Sequence, residues 1–185
     1  GYPAAFLPDT YEFYWTASPE KVVGTLLDVR NSFWNSQRRA KAAALGLTPV
    51  QVATVATIVE EESNKADERP SIARLYLNRL QKGMPLQADP TVKFALGDFS
   101  LRRITGAHLK VDSPYNTYKY QGLPPGPIRI AERSAIEAVL NAPAHSYLYM
   151  CARPDFSGYH DFSVDYNRHR INAARYHRAL TARGI

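Results

Sequence analysis

Apolar positions recur every three or four residues from Ser18 onward. Val22, Val23, Leu26, Leu27, Val29, Phe33 and Trp34 share a helical face, Ser18 and Pro19 supply a cap and first turn, and Gly46 supplies a stop. The pattern predicts one long helix with an aromatic face packed into a core. A second helix starts at Thr48, with Pro49 at its first position and Gln51 completing a capping box. Its Val52, Val55, Ile58 and Val59 form a stripe that runs into three successive glutamates. A third helix is predicted over "RPSIARLYLNRLQKG", with Ile72, Leu75, Tyr76, Arg79 and Leu80 on one side and Gly83 at its end.

Beyond Gly83 the periodicity dissolves. "MPLQADPTVKFALGD" and "DSPYNTYKYQGLPPGPIRI" read as long irregular segments, dense in Pro, Gly, Asn, Asp and Tyr. Loops of that length in a compact domain are usually functional. A short helix at "ERSAIEAVLNA" leads to two strand-like runs, "SYLYMCA" and "YHDFSV", joined by "RPDFSG", and "DYNRHRINAARYHRAL" predicts a terminal helix. The expected class is α+β: a helical region carrying the glutamates, packed against a small antiparallel sheet, with long cleft-forming loops. Residues 1–47 form an aromatic segment and helix, and residues 48–185 form the main body.

Composition narrows the function. With 185 residues, 45% of them hydrophobic, the chain can bury a real core. Its 23 Lys+Arg against 17 Asp+Glu give +6, but the basic residues are dispersed. That favours a general attraction to anionic partners, and no nucleic acid is expected. Cys151 is the one cysteine, which excludes an intrachain disulfide and a multi-thiolate zinc site. His160, Asp161, His169 and His177 match no compact zinc spacing, so neither metal nor other cofactor is expected. No run approaches the roughly 20 apolar residues of a membrane span, and "GYPAAFLPDTYEFYW" lacks the plan of a signal peptide. If the native protein is exported or anchored, the expectation is that this chain is a fragment of it.

The stretch "ATIVEEES" carries the chemistry. At about 100° per residue Glu62 falls within about 35° of the centre of the valine stripe, Glu60 lies about 125° away, and Glu61 points nearly opposite. A solvated helix end is the ordinary reading of such a cluster. Three acids at a helix C-terminus, however, oppose the macrodipole and repel one another, which is a local cost that invites a functional explanation. A half-buried Glu62 beside other carboxylates would hold its proton at higher pH than usual and act as a general acid, as glycoside cleavage requires. His160, in "YHDF", is either a strand residue facing a cleft or a satisfied structural histidine. Cys151 reads as a buried inert thiol, and neither a G-x-S-x-G nor a phosphate-binding glycine loop occurs. The tyrosines of "SPYNTYKYQGLPPG" suit stacking on sugars or bases, with core packing as the alternative.

In this order and at these separations, "ATIVEEES", "LYLNRLQKGMPLQADPTV", "SPYNTYKYQGLPPGPI", "YLYMCA" and "HDFS" closely resemble the YceG-like family, the MltG endolytic murein transglycosylases of bacteria. "FLPDTYEFYW" is similar to the family's PDTY segment. The resemblance covers nearly the whole chain. It implies an enzyme of the bacterial inner membrane facing the periplasm, held by one N-terminal membrane helix that this chain lacks. It also implies a LysM-like subdomain ahead of the catalytic region, of which residues 1–47 retain at most the end. The implied reaction cuts peptidoglycan glycan strands between N-acetylmuramic acid and N-acetylglucosamine without water. The muramic acid C6 hydroxyl attacks its own anomeric carbon and leaves a 1,6-anhydro end.

The resemblance also implies site residues. Glu62 is the expected catalytic acid and base, with Glu60 in reserve, because the family motif has two acids around a variable position before Ser or Thr. Gln87, Asp89 and Thr91 match its LQ-x-DPT segment, and Tyr115, Asn116, Thr117 and Tyr118 match its YNTY segment. Gln87, Asn116 and Tyr118 are the expected contacts to substrate amides and hydroxyls, Asp89 has helix capping as its alternative, and His160 matches H-x-F. Pro124, Pro125 and Gly126 match a turn that shapes the cleft wall. Two departures stand out: His169 is followed by Arg170 where the family has asparagine, and Glu61 adds a negative charge where the family often has a basic residue. The expected partners are glycan strands and, by the resemblance, cell-wall glycan polymerases. The rival readings are a peptidoglycan-binding module without catalysis and a hydrolytic muramidase. The latter needs a second carboxylate about 5 to 9 Å from the acid, with Asp89 and Glu60 as candidates.

Overall fold

A computed structural model describes residues 2–101 and 104–184. After a 3-10 turn at Tyr2–Ala5 come helices α1 (Pro19–Phe33), α2 (Ser36–Ala44), α3 (Pro49–Glu62), α4 (Arg69–Gln81) and α5 (Asp89–Leu96). A second 3-10 turn at His108–Lys110 precedes α6 (Arg133–Leu140), strands β1 (Tyr149–Ala152) and β2 (His160–Ser163), and α7 (Tyr166–Ala182). The described residues thus form an α+β fold with one two-stranded antiparallel sheet.

Helix α3 is its axis. The Thr48 capping box is present as the sequence predicts, and every residue from Val52 to Glu60 is buried. Helices α4, α5 and α6 surround it, so it has an enclosed surface where one apolar stripe was expected. The two threonines that this encloses stay satisfied by bonding backwards along the helix: Thr54 Oγ1 donates to Val50 O at 2.8 Å and Thr57 Oγ1 to Thr54 O at 2.9 Å. Of the predicted α4 face, Ile72, Leu75, Tyr76 and Arg79 are buried and Leu80 is partly so.

The long first helix is in fact two. Trp34 leaves helical conformation and Asn35 begins again, its Oδ1 accepting from Arg38 N at 3.0 Å. An asparagine cap outweighs a continuous apolar pattern at that point. Phe33 and Trp34 are buried, whereas Val23 and Leu27 are exposed, so only the end of the predicted aromatic face enters the core.

The second correction is α5, which forms inside a segment expected to be irregular. Pro90 lies in its first turn, where a missing N–H costs nothing, and Gly97 at φ 69° closes it in the left-handed region. The remaining predicted irregular segment, 112–130, contains neither helix nor strand. The sheet pairs Tyr149 with Ser163 and Ala152 with His160, and α7 packs across both strands.

Candidate active site

Glu62 is the last residue of α3 and sits half-buried at the wall of a cleft of about 520 Å³. From α4, Tyr76 donates its hydroxyl proton to Glu62 Oε1 at 2.6 Å. Burial raises the Glu62 pKa from 4.5 to about 6, the Tyr76 bond pulls it the other way, and the negative charge of Asp89 adds to the rise. Burial first, and then the Glu62 charge, push the Tyr76 hydroxyl well above its usual value, so it stays a donor. Glu62 therefore sits where a carboxyl group keeps its proton well into the weakly acidic range.

The three glutamates separate cleanly. Glu61 is exposed and pairs with Arg129 at 2.7 Å. Glu60 is 3% exposed, against its predicted angle, because the segment leading into α6 covers that side. Its Oε2 accepts from Glu132 N at 3.2 Å, and burial raises its pKa too. The cleft lining includes Glu62 and not Glu60.

The opposite wall is built from the loop after α4 and the start of α5. Buried Arg79 donates to Pro85 O, Leu86 O and Leu148 O at 2.7 to 2.9 Å and to Gln87 Oε1 at 3.3 Å. That fork fastens residues 85–87 to the entrance of β1. Gln87 adopts φ 53°, a left-handed conformation costly for a non-glycine residue, with its N–H bonded to Thr117 O. Asp89 is the first residue of α5, one position past the N-cap Ala88, and its side chain is engaged elsewhere than in a cap. Its Oδ1 accepts instead from the Tyr118 hydroxyl at 2.6 Å, and burial followed by that bond raises the Tyr118 pKa.

Of the eight residues that the resemblance assigns to the substrate site (Gln87, Asp89, Thr91, Tyr115, Asn116, Thr117, Tyr118 and His160), Gln87, Asp89, Tyr118 and His160 line the cleft. The other four brace it from behind. Asn116 is fully buried, its Nδ2 donating to Leu109 O and Val111 O at 2.9 and 2.8 Å and its Oδ1 accepting from Tyr118 N at 3.1 Å. Its polar groups are used on the loop that presents Tyr118, which corrects its expected role as a substrate contact. Thr117 and Thr91 are buried and share a hydroxyl bond at 2.8 Å, with Thr117 Oγ1 also accepting from Ala88 N. Tyr115 packs its ring on Phe94 at 4.6 Å.

His160 resolves both of its alternatives at once: it lines the cleft, and its Nδ1 and backbone N–H both meet the Glu68 carboxylate. Tyr149, Tyr166 and His169 complete the rim, Tyr149 stacking on His169 at 5.4 Å. Sequence reasoning placed Tyr76 and Arg79 on a helix face but gave them no role. An arginine and a tyrosine within an apolar stripe were the signal, since buried arginines need partners. Glu68 had no signal of its own. Among the described residues no group of three or more His, Cys, Asp or Glu side chains could hold a metal ion.

The model of the YceG-like family matches residues 2–175. The chain belongs to the YceG-like family. A YceG-like protein of Listeria monocytogenes, known from a crystal structure, superposes with a TM-score of 0.79 at 35% identity, over 91% of this chain and 54% of that one. A Bacillus subtilis relative named endolytic murein transglycosylase is 37% identical over 150 residues, which are 79% of this chain and 40% of the relative. A relative of the same name from Streptococcus pneumoniae is 33% identical over 152 residues, 78% of this chain and 27% of its own length. This YceG-like chain therefore spans less than half of each of these curated relatives.

Proposed function

We propose that the cleft is the catalytic site of an endolytic murein transglycosylase and that Glu62 is its acid and base. The observation that carries the proposal is a carboxyl group with a pKa of about 6, held by a tyrosine hydroxyl inside a cleft. The names of the B. subtilis and S. pneumoniae relatives supply the substrate class.

The protonated Glu62 donates to the glycosidic oxygen as the bond from the muramic acid anomeric carbon to that oxygen breaks, and the glucosamine unit leaves as an alcohol. The C6 hydroxyl of the same muramic acid then bonds to the anomeric carbon and returns its proton to the Glu62 carboxylate. The acid is regenerated, no water is consumed, and a 1,6-anhydro end remains. Asp89, held by Tyr118, supplies negative charge near the cationic transition state, and Gln87 and the rim tyrosines take the strand.

Asp89 is also what favours a second reading. A second carboxylate in the same cleft is what a hydrolytic muramidase needs. The products decide between them. Purified peptidoglycan treated with the wild type should release soluble fragments with anhydro-muramic ends by mass spectrometry, and Glu62→Gln should release none. Reducing ends would make the protein a hydrolase, and retained strand binding without fragments would make it a binding module. With this substrate the domain works on the outer side of the cytoplasmic membrane, held there by an N-terminal anchor, and glycan polymerases are its proposed partners.

A further inference from the structure

Glu68 stands at the N-cap of α4, where an acidic side chain ordinarily turns back onto the free N–H groups of the first turn. It makes no such bond. Its carboxylate reaches β2 instead: Oε1 accepts the backbone N–H of His160 at 2.7 Å and Oε2 meets His160 Nδ1 at 2.8 Å. Oε2 also accepts from Ser63 Oγ at 3.2 Å, and Ser63 directly follows Glu62 as the C-cap of α3. The two side chains are only 5% and 14% exposed. One carboxylate thus joins the chain end bearing the acid to the strand residue on the other side of the cleft.

We infer that Glu68 is a positioning residue that holds the His160 ring through a proton on Nδ1 and so turns Nε2 into the cleft toward a glycan hydroxyl. The inference rests on the glycan-cleaving reading of the cleft. A carboxylate only accepts, so the imidazole bonded to it through Nδ1 carries a proton there, and Nε2 is the nitrogen left to face the cleft. Among the described residues Nε2 takes no hydrogen bond, and the ring lines the cleft with Glu62. The backbone N–H occupies one carboxylate oxygen and ties α4 to β2. The second oxygen on the ring is what sets the tautomer.

Glu68→Gln tests this because it keeps the shape and changes one donor. The His160 backbone N–H cannot be turned, so the new amide must direct its oxygen there. Its NH2 then faces Nδ1, which accepts, and the ring proton moves to Nε2. Nitrogen NMR of histidine-labelled protein at alkaline pH should show Nδ1 protonated in the wild type and Nε2 protonated in E68Q. The kcat/KM on glycan strands should fall about tenfold, the scale of one misplaced hydrogen bond. His160→Ala should fall as far, and adding E68Q to it should cost nothing more, because Glu68 acts through His160. Ser63→Ala, which removes only the third contact, should keep the wild-type tautomer.

The same tautomer in wild type and E68Q, an inverted tautomer with unchanged kcat/KM, or additive losses in the double variant would each overturn the inference. The NMR contrast without any glycan cleavage by the wild type would instead sink the catalytic reading and leave the tautomer control standing.

Discussion

The Tyr76 hydroxyl donates to Glu62 Oε1 at 2.6 Å, joining α4 to the C-terminal residue of α3. Because that bond favours the ionised carboxylate, it restrains the rise that burial causes. Tyr76→Phe should therefore move the Glu62 titration upward while freeing its side chain. The expected result is a roughly tenfold lower kcat, for one lost bond at the acid, with the alkaline limb of activity shifted to higher pH. A pH–rate profile checks both parts, and a limb that moves down would contradict the assignment.

Glu62 also has a stability signature. Its pKa is raised on folding, so between about pH 4.5 and 6 the native state binds more protons than the unfolded chain, and stability falls as pH rises through that window. Above it the folded protein carries a partly desolvated charge that Glu62→Gln removes, while the amide oxygen can still accept from Tyr76. The variant should melt at a higher temperature than the wild type at pH 8, and the gap should close by about pH 4. Inactivation accompanied by stabilisation is the mark of a catalytic acid rather than a structural one.

Asn116 should behave in the opposite way. Asn116→Ala leaves Leu109 O and Val111 O buried without their donor and frees the loop that carries Tyr118. A loss of about 2–4 kcal/mol of stability is expected, read by denaturant or thermal melting. A direct substrate contact would instead raise KM with the melt unchanged.

Gln87 holds a left-handed backbone angle at the cleft wall. Gln87→Gly relieves strain of about 1 kcal/mol and removes one long bond from Arg79. Its melting temperature should be unchanged or higher, while KM for glycan strands rises several-fold. A lower melting temperature with unchanged KM would assign Gln87 to structure alone.

Much of this site was legible in the sequence, and what was not has a common cause. The capping box at Thr48 and the hairpin are local features, and both appear as predicted, whereas the helical angle sets Glu62 half-buried at the cleft wall and leaves the core to Glu60. Asn35 and Pro90 mark a break and a start that apolar periodicity cannot see, because both depend on caps and first turns. Glu60 was placed away from the core by its angle, yet residues some 70 positions later cover it. Glu68 and His160 are 92 residues apart, so no local pattern couples them. The "YNTY" run was recognisable as a unit, but which of its residues face the cleft and which brace it is decided by Leu109, Val111 and Ala88, outside the run.

The central claim is that protonated Glu62 delivers the proton to the leaving oxygen. The direct measurement is kcat/KM for release of anhydro-ended fragments as a function of pH, for the wild type and for Asp89→Asn. A wild-type alkaline limb near pH 6 is predicted, moved to lower pH in Asp89→Asn because the charge that helps raise the Glu62 pKa is gone. Full activity sustained through pH 8, or a limb unmoved by the loss of Asp89, would contradict the account.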